Sequence, residues 1–185
     1  SADMHFNPIH ADADVSDIKI GDVDAGMISF VSTNVRSHID FEKRTGDFRA
    51  NEMGHLTQFP YNQFASTMDE FKWDMDKKTI LLTPTGRQKS KEYVFKSQNA
   101  SQHGLVFQST KALFDMNDGI IYAEEVPYID IADSRVFPSD GKVTIEKDAV
   151  LRPLENAKML ANRDNKYHEL YDCKLWVEGR LSIAG

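Results

Sequence analysis

The chain has 185 residues, 41% of them hydrophobic and 28% charged, which is long and apolar enough to bury a real core and excludes wholesale disorder. Its formal net charge is −7, with 22 Lys and Arg interspersed among 29 Asp and Glu, and this excludes the basic stripe that nucleic-acid binding requires. A single cysteine excludes an intrachain disulfide, and no apolar run reaches the roughly 18 residues of a membrane-spanning helix.

The chain opens at Ser1 without an initiator Met and reads as a piece of a longer protein. Residues 1–15 are expected to form a flexible polar leader, and 16–185 a single β-rich domain. Within the leader, alternation sets His10, Asp12 and Asp14 on one side of an extended segment, with His5 upstream. That is the pattern of a metal face, but entry into the first strand is the plainer reading, and no metal is assigned.

Strand signals dominate from here on. "SHIDFEK" alternates, with Ile39 and Phe41 on one face, ahead of a turn at Arg44-Thr45-Gly46. The segments 61–71 and 153–163 are the best helical windows, although neither carries a clean apolar stripe. "EFKWDM" aligns Phe71, Trp73 and Met75, turns through Asp76-Lys77-Lys78 and continues as Thr79–Thr83. "ALFDM" reaches Asn117-Asp118-Gly119, where glycine permits positive φ, and returns as "IIYAEE".

The windows 41–50 and 114–123 agree at Phe, acid, Gly and Ala, and the segment around Trp73 fits both with one extra turn residue. Phe41, Trp73 and Phe114 are therefore expected in equivalent places, as members of a stack of hairpins. The expected core is Ile39, Phe41, Phe48, Phe71, Trp73, Ile80, Leu82, Leu113, Ile121, Ile129, Ile131, Val143, Ile145, Leu175 and Val177.

Past residue 128 the rhythm changes. Segment 129–137 matches 143–151 at an offset of 14, pairing Ile129 with Val143, Ile131 with Ile145, Val136 with Val150 and Phe137 with Leu151. Such segments suit either a hairpin or successive faces of a β-helix. Cys173 reads as a small buried hydrophobe in a strand, with His168 too weak a partner to make it a catalytic thiol. The last strand signals, broken at Gly179, leave an edge suited to self-association.

Candidate chemistry is sparse. There is no Gly-x-Ser-x-Gly, P-loop, dinucleotide motif or Cys-x-x-Cys, and no cofactor is expected. Asp130 and Asp133, like Glu124 and Glu125, point to opposite faces of a strand and form no acid/base pair on their own. "DMND" and "DMDKK" lack the spread of oxygens that calcium needs and read as turns. Asn99-Ala100-Ser101 is a glycosylation sequon, meaningful only in a secreted eukaryotic protein. Aromatic residues crowd the first and middle parts. Their first use is core packing, and the alternative is an apolar cleft, for which Phe59, Tyr61, Phe64 and Trp73 are the candidate ligand-binding residues.

Residues 109–129, "STKALFDMNDGIIYAEEVPYI", resemble the repeat of the OstA-like lipopolysaccharide-transport family at Ala112, Phe114, Asp115, Ala123 and Val126. Residues 38–52 look like a degenerate copy. The style of the C-terminal half is also similar to large β-repeat proteins of bacterial cell envelopes. The resemblance implies a twisted β-jellyroll or slab, an apolar groove that passes lipid, and a periplasmic or extracellular location.

The expected fold is all-β, an elongated stack of antiparallel hairpins, either continuing or turning β-helix-like at its C-terminal end. The expected function is a non-catalytic envelope module that acts as scaffold or binds an amphiphile such as a lipid or glycolipid. The alternatives are an interaction or adhesion module, pairing with flanking β domains or itself through open edges, and, less favoured, a carbohydrate-active enzyme on a β-solenoid.

Overall fold

Alternation of apolar and polar residues over short runs, broken by turn residues, dictates strands, and the chain is all-β. The computed structural model describes residues 4–6, 9–22, 27–162 and 168–185. Short 3-10 turns are its only helical elements among these residues.

The larger sheet contains β1 (Met4–Phe6), β2 (His10–Asp22), β3 (Met27–Asp40), β4 (Thr45–Ala50), β5 (Thr57–Phe59), β6 (Phe64–Ser66), β7 (Glu70–Asp74), β8 (Thr79–Thr83), β9 (Val94–Ser97), β10 (Val106–Gln108), β11 (Lys111–Asp115) and β12 (Ile120–Glu124). Strand β15 (Val143–Ile145) completes it after two strands that belong elsewhere. Its order is β10-β9-β6-β5-β3-β4-β7-β8-β11-β12-β15, with β2 alongside β3 and β1 on β2. Residues 10–15 therefore lie in a paired strand, and the expected leader is corrected to that extent. His10 is already opposite Asp40.

The long strand β3 folds this sheet over. Its C-terminal half, Val35 to Asp40, pairs with β4, whereas its N-terminal half meets β5 at Val31. Between the halves Asn34 takes φ 50°, and β2 answers with register shifts on both sides of Ser16. The Ser16 hydroxyl donates to the Val35 carbonyl at 3.0 Å across the bend. Two layers result, and phenylalanine fills the space between them. Phe30 lies 5.6 Å from Phe59 and 5.5 Å from Phe71, both edge to face, and Phe59 meets Phe114 from the opposite layer at 5.3 Å.

The repeat is real, but its anchor is an aspartate. Asp40, Asp74 and Asp115 each end a strand and pair with the first residue of the next: Thr45, Thr79 and Ile120. Each four-residue loop closes on a residue of positive φ, namely Arg44, Lys78 and Gly119. Each carboxylate accepts loop amides, from Lys43 (2.8 Å), Lys77 (3.0 Å) and Asn117 (2.9 Å). The loops also stack, the Met75 amide donating to the Arg44 carbonyl and the Met116 amide to that of Lys78, both at 3.0 Å.

This register makes Ile39, Trp73 and Phe114 the equivalent residues. Phe41 occupies the place of Met75 and Met116, in the loop, and is 43% exposed. Its expected burial and its equivalence to Trp73 are corrected accordingly. Leu113 is also exposed, because Ala112 and Phe114 on either side take the inward face. Ile39 and Trp73 are half-buried at the border of the core, and the other expected core residues are buried.

The second sheet contains β13 (Ile129–Ile131), β14 (Ser134–Phe137), β16 (Leu154–Ala161), β17 (His168–Val177) and β18 (Ile183–Ala184), in that order. All of its pairings are antiparallel, so the β-helix alternative does not apply. It joins the same core through Ile129, Ile131, Val136, Leu154, Leu175 and Val177. The 14-residue offset relates strands of different sheets, and Val150 is exposed where Val136 is buried. The first helical window contains β6 and the start of β7, and the second is β16 as far as it lies within the described residues.

Candidate functional site

Phe59 and Phe64, two of the four candidate ligand residues, are fully buried. They belong to the hairpin β5–β6, whose turn Pro60–Gln63 lies across the end of the two layers. Gly119 makes this approach possible: it has φ +70°, and a Cβ there would stand 2.6 Å from the Tyr61 ring. Asn62, fully buried, donates to the carbonyls of Gly119 (2.7 Å) and Ile145 (3.3 Å). Backbone bonds from Asp148 to Tyr61 and from Ala149 to Asn62 complete the seal. The turn thus closes this end of the core, and outside it Phe59, Pro60 and Phe64 contribute to a small cleft of about 260 Å³. Trp73 sits on the other layer, across its register partner Gly46, and its indole N–H is buried without a protein acceptor among the described residues.

The expected metal face engages its cross-strand neighbours instead. Asp12 pairs with His38 (2.6 Å), Asp14 with Arg36 (3.2 Å), and His10 stacks on His38 and lies 3.9 Å from Asp40. Among the described residues no three ligands converge, and the His5 side chain lies outside them. The acid pairs are also spoken for. Asp130 is gripped by Arg135 through two bonds of 2.7 and 3.0 Å, and Glu124 pairs with Lys111 at 2.7 Å. Asp133 is exposed on the β13–β14 turn, and Glu125 accepts from Thr110. Cys173 is half-buried opposite Ala157, its Sγ 3.6 Å from the Tyr171 carbonyl, and His168 is exposed farther along β17. None of these arrangements sets a nucleophile against a base.

What remains open lies outside the core. A cleft of about 670 Å³ runs between the outer face of β9–β10 and β13. Val94, Val106 and Gln108 line one wall, Tyr128, Asp130 and Ala132 the other, and Lys91, His103, Arg180 and Leu181 its rim. The rim segment is fixed by backbone bonds from Ala132 to the Arg180 carbonyl (2.7 Å) and from Arg180 to the Gln102 carbonyl (3.0 Å). Gly179 is required there, since a Cβ would fall 2.8 Å from the Gln102 Cα. Arg135 covers one face of Tyr128, its guanidinium carbon 3.8 Å from the ring centroid. Of the residues around this cleft, sequence reading had singled out Asp130 but not Lys91, Tyr128, Arg135 or Arg180. The Tyr128-x-Asp130 and Arg135 spacing, which is a hairpin pair, was the one local signal available.

The second open feature is an edge. Strand β1 covers β2 only from Ala11 to Ala13, and among the described residues no strand pairs with the outer side of β2 beyond that point. Val15 and Ile28 are 50% and 46% exposed, and Ile18 and Ile20 close the core only by half. At the other end of the chain Leu170, Tyr171 and Trp176 are exposed on β17.

Comparisons with protein-family models, curated proteins and solved structures returned no match.

Proposed function

We propose that the chain is a non-catalytic β-scaffold module that joins to neighbouring β-strands through its open edges. The observation that carries this reading is the run of β2 beyond Ala13, which has no outer partner strand among the described residues and carries exposed or half-exposed Val15, Ile18 and Ile20, with exposed Ile28 beside it on β3. An edge of this kind templates strand addition, with backbone bonds giving affinity and alternate side chains giving choice of partner. The bulges around Ser16 and the charges of Asp14, Asp17 and Lys19 guard this edge against indiscriminate pairing, so a partner strand has to accommodate them.

A phenylalanine-filled interior leaves an amphiphile no room between the layers, so the scaffold reading stands ahead of the lipid-groove reading. Neutralisation of Asp130 by Arg135 weighs against the glycosidase reading in the same way. The resemblance of residues 38–52 and 109–129 to the OstA-like repeat supports a place in the bacterial envelope, periplasmic or extracellular.

Sedimentation velocity over a range of concentrations tests the proposal. The parent protein is expected to associate as concentration rises, and a Val15→Lys/Ile28→Lys variant to stay monomeric with an unchanged melting temperature. Equal association by parent and variant would overturn the assignment of this edge.

A further inference from the structure

We propose that the cleft between β10 and β13 binds an acidic saccharide, one that presents a carboxylate to Lys91 and Arg180. This inference is independent of strand pairing at β2.

Charge comes first. The protein carries a net −7, yet the rim of this cleft offers Lys91 and Arg180, neither of which has an acid within ion-pair distance among the described residues. The one carboxylate lining the cleft, Asp130, is held by two guanidinium nitrogens of Arg135, Nε and Nη2. The site therefore offers unspent positive charge with no free negative charge to oppose an anion.

Hydrogen-bonding capacity comes second. Strand β10 is the last of its sheet. Ser97 donates to the Leu105 carbonyl (2.8 Å) and Ser109 to the Tyr93 carbonyl (3.0 Å), so alternate residues Val106 and Gln108 turn their backbone N–H and C=O away from β9. The Gln108 amide side chain lies on the same wall. These groups suit an array of hydroxyls, and Tyr128, Val94, Val106 and Leu181 supply apolar surface for the C–H faces of sugar rings.

The main competitor is an acidic peptide added to β10 as a strand. Cα atoms of β10 and β13 approach within 8 Å, against the about 9.5 Å that a strand paired on both sides needs from one flank to the other, so such a peptide would keep only the β10 half of its ladder. The cleft volume, about 670 Å³, lies within the roughly 300–1,000 Å³ of small-molecule sites.

The test is calorimetric titration with three probes: trigalacturonate, its methyl ester, and a tri-glutamate peptide. Trigalacturonate is expected to bind saturably and more weakly as salt rises, with the ester and the peptide binding far less. Arg180→Gln and Lys91→Gln, both at exposed positions, should each weaken trigalacturonate binding by about tenfold while leaving the circular dichroism and melting temperature unchanged. Absence of saturable trigalacturonate binding, equal binding of the ester, preference for the peptide, or full binding by both variants would each overturn the proposal.

Discussion

Gly119 combines two demands that alanine cannot meet, a φ of +70° and a ring edge 2.6 Å from where a Cβ would stand. Gly119→Ala is expected to cost about 2 kcal/mol or more in urea denaturation, since positive φ alone costs an L-residue roughly 1–2 kcal/mol. Asn62→Ala should cost roughly 1–3 kcal/mol with an unchanged m-value, because it leaves the buried Gly119 and Ile145 carbonyls without the amide that serves them. A neutral outcome for both would mean that the 60–63 turn does not seal the core. Gly119 was legible as a turn residue from Asn117-Asp118-Gly119. Its second role was not, because Tyr61 meets it only after the sheet has folded over. The same limit explains Phe59, which read equally well as core or pocket until Phe114 arrived from the opposite layer.

Among elements, the aspartate-anchored loops explain both the visible repeat and its misalignment. Matching Phe41 to Phe114 follows the largest side chains, but the backbone repeats on Asp40, Asp74 and Asp115, which shifts the first copy by two residues. Hairpins and alternation were legible because they are local. The bend at Asn34 and the strand in 154–161 were not, since each depends on a partner strand that overrides weak local preference.

The loops also carry a pH signature. Asp40 and Asp74 are held below the ordinary Asp value, chiefly by the backbone N–H groups of Lys43 and Lys77 and then by the ammonium groups of those residues. A carboxylate with a depressed folded pKa contributes its full stabilisation above the unfolded value, about 3.9, and loses it as pH falls through the folded one. The stability gap between parent and an Asp40→Asn/Asp74→Asn variant should therefore be present at neutral pH and close as pH drops below about 4. Urea midpoints measured against pH check this, and a gap independent of pH would contradict it.

A further clasp joins β4 to the loop after β8. Arg87 bonds the buried Asp69 and the Ala50 carbonyl, and Thr85 serves the same carboxylate through its amide (2.7 Å) and hydroxyl (2.6 Å). Arg87→Ala is expected to cost roughly 1–3 kcal/mol, below the range for a fully buried broken pair because Arg87 is a third exposed and Thr85 remains.

For the whole molecule, one core serves both sheets. The all-β class and most of the core positions were legible in the sequence, whereas the division into two sheets and the cleft between their edges were not. Lys91, Tyr128 and Arg180 come from segments with no common sequence pattern, and only the docking of the 179–182 segment against Gln102 and Ala132 brings them together. A phenylalanine-filled interior and a β2 edge with no outer partner among the described residues support the proposal that this module works through its edges. Native mass spectrometry of the purified protein over a range of concentrations tests it most directly, reading oligomeric state and bound mass in one spectrum. The account predicts multimers that grow with concentration and carry no lipid mass. A monomer at every concentration with a stoichiometric lipid bound would contradict it.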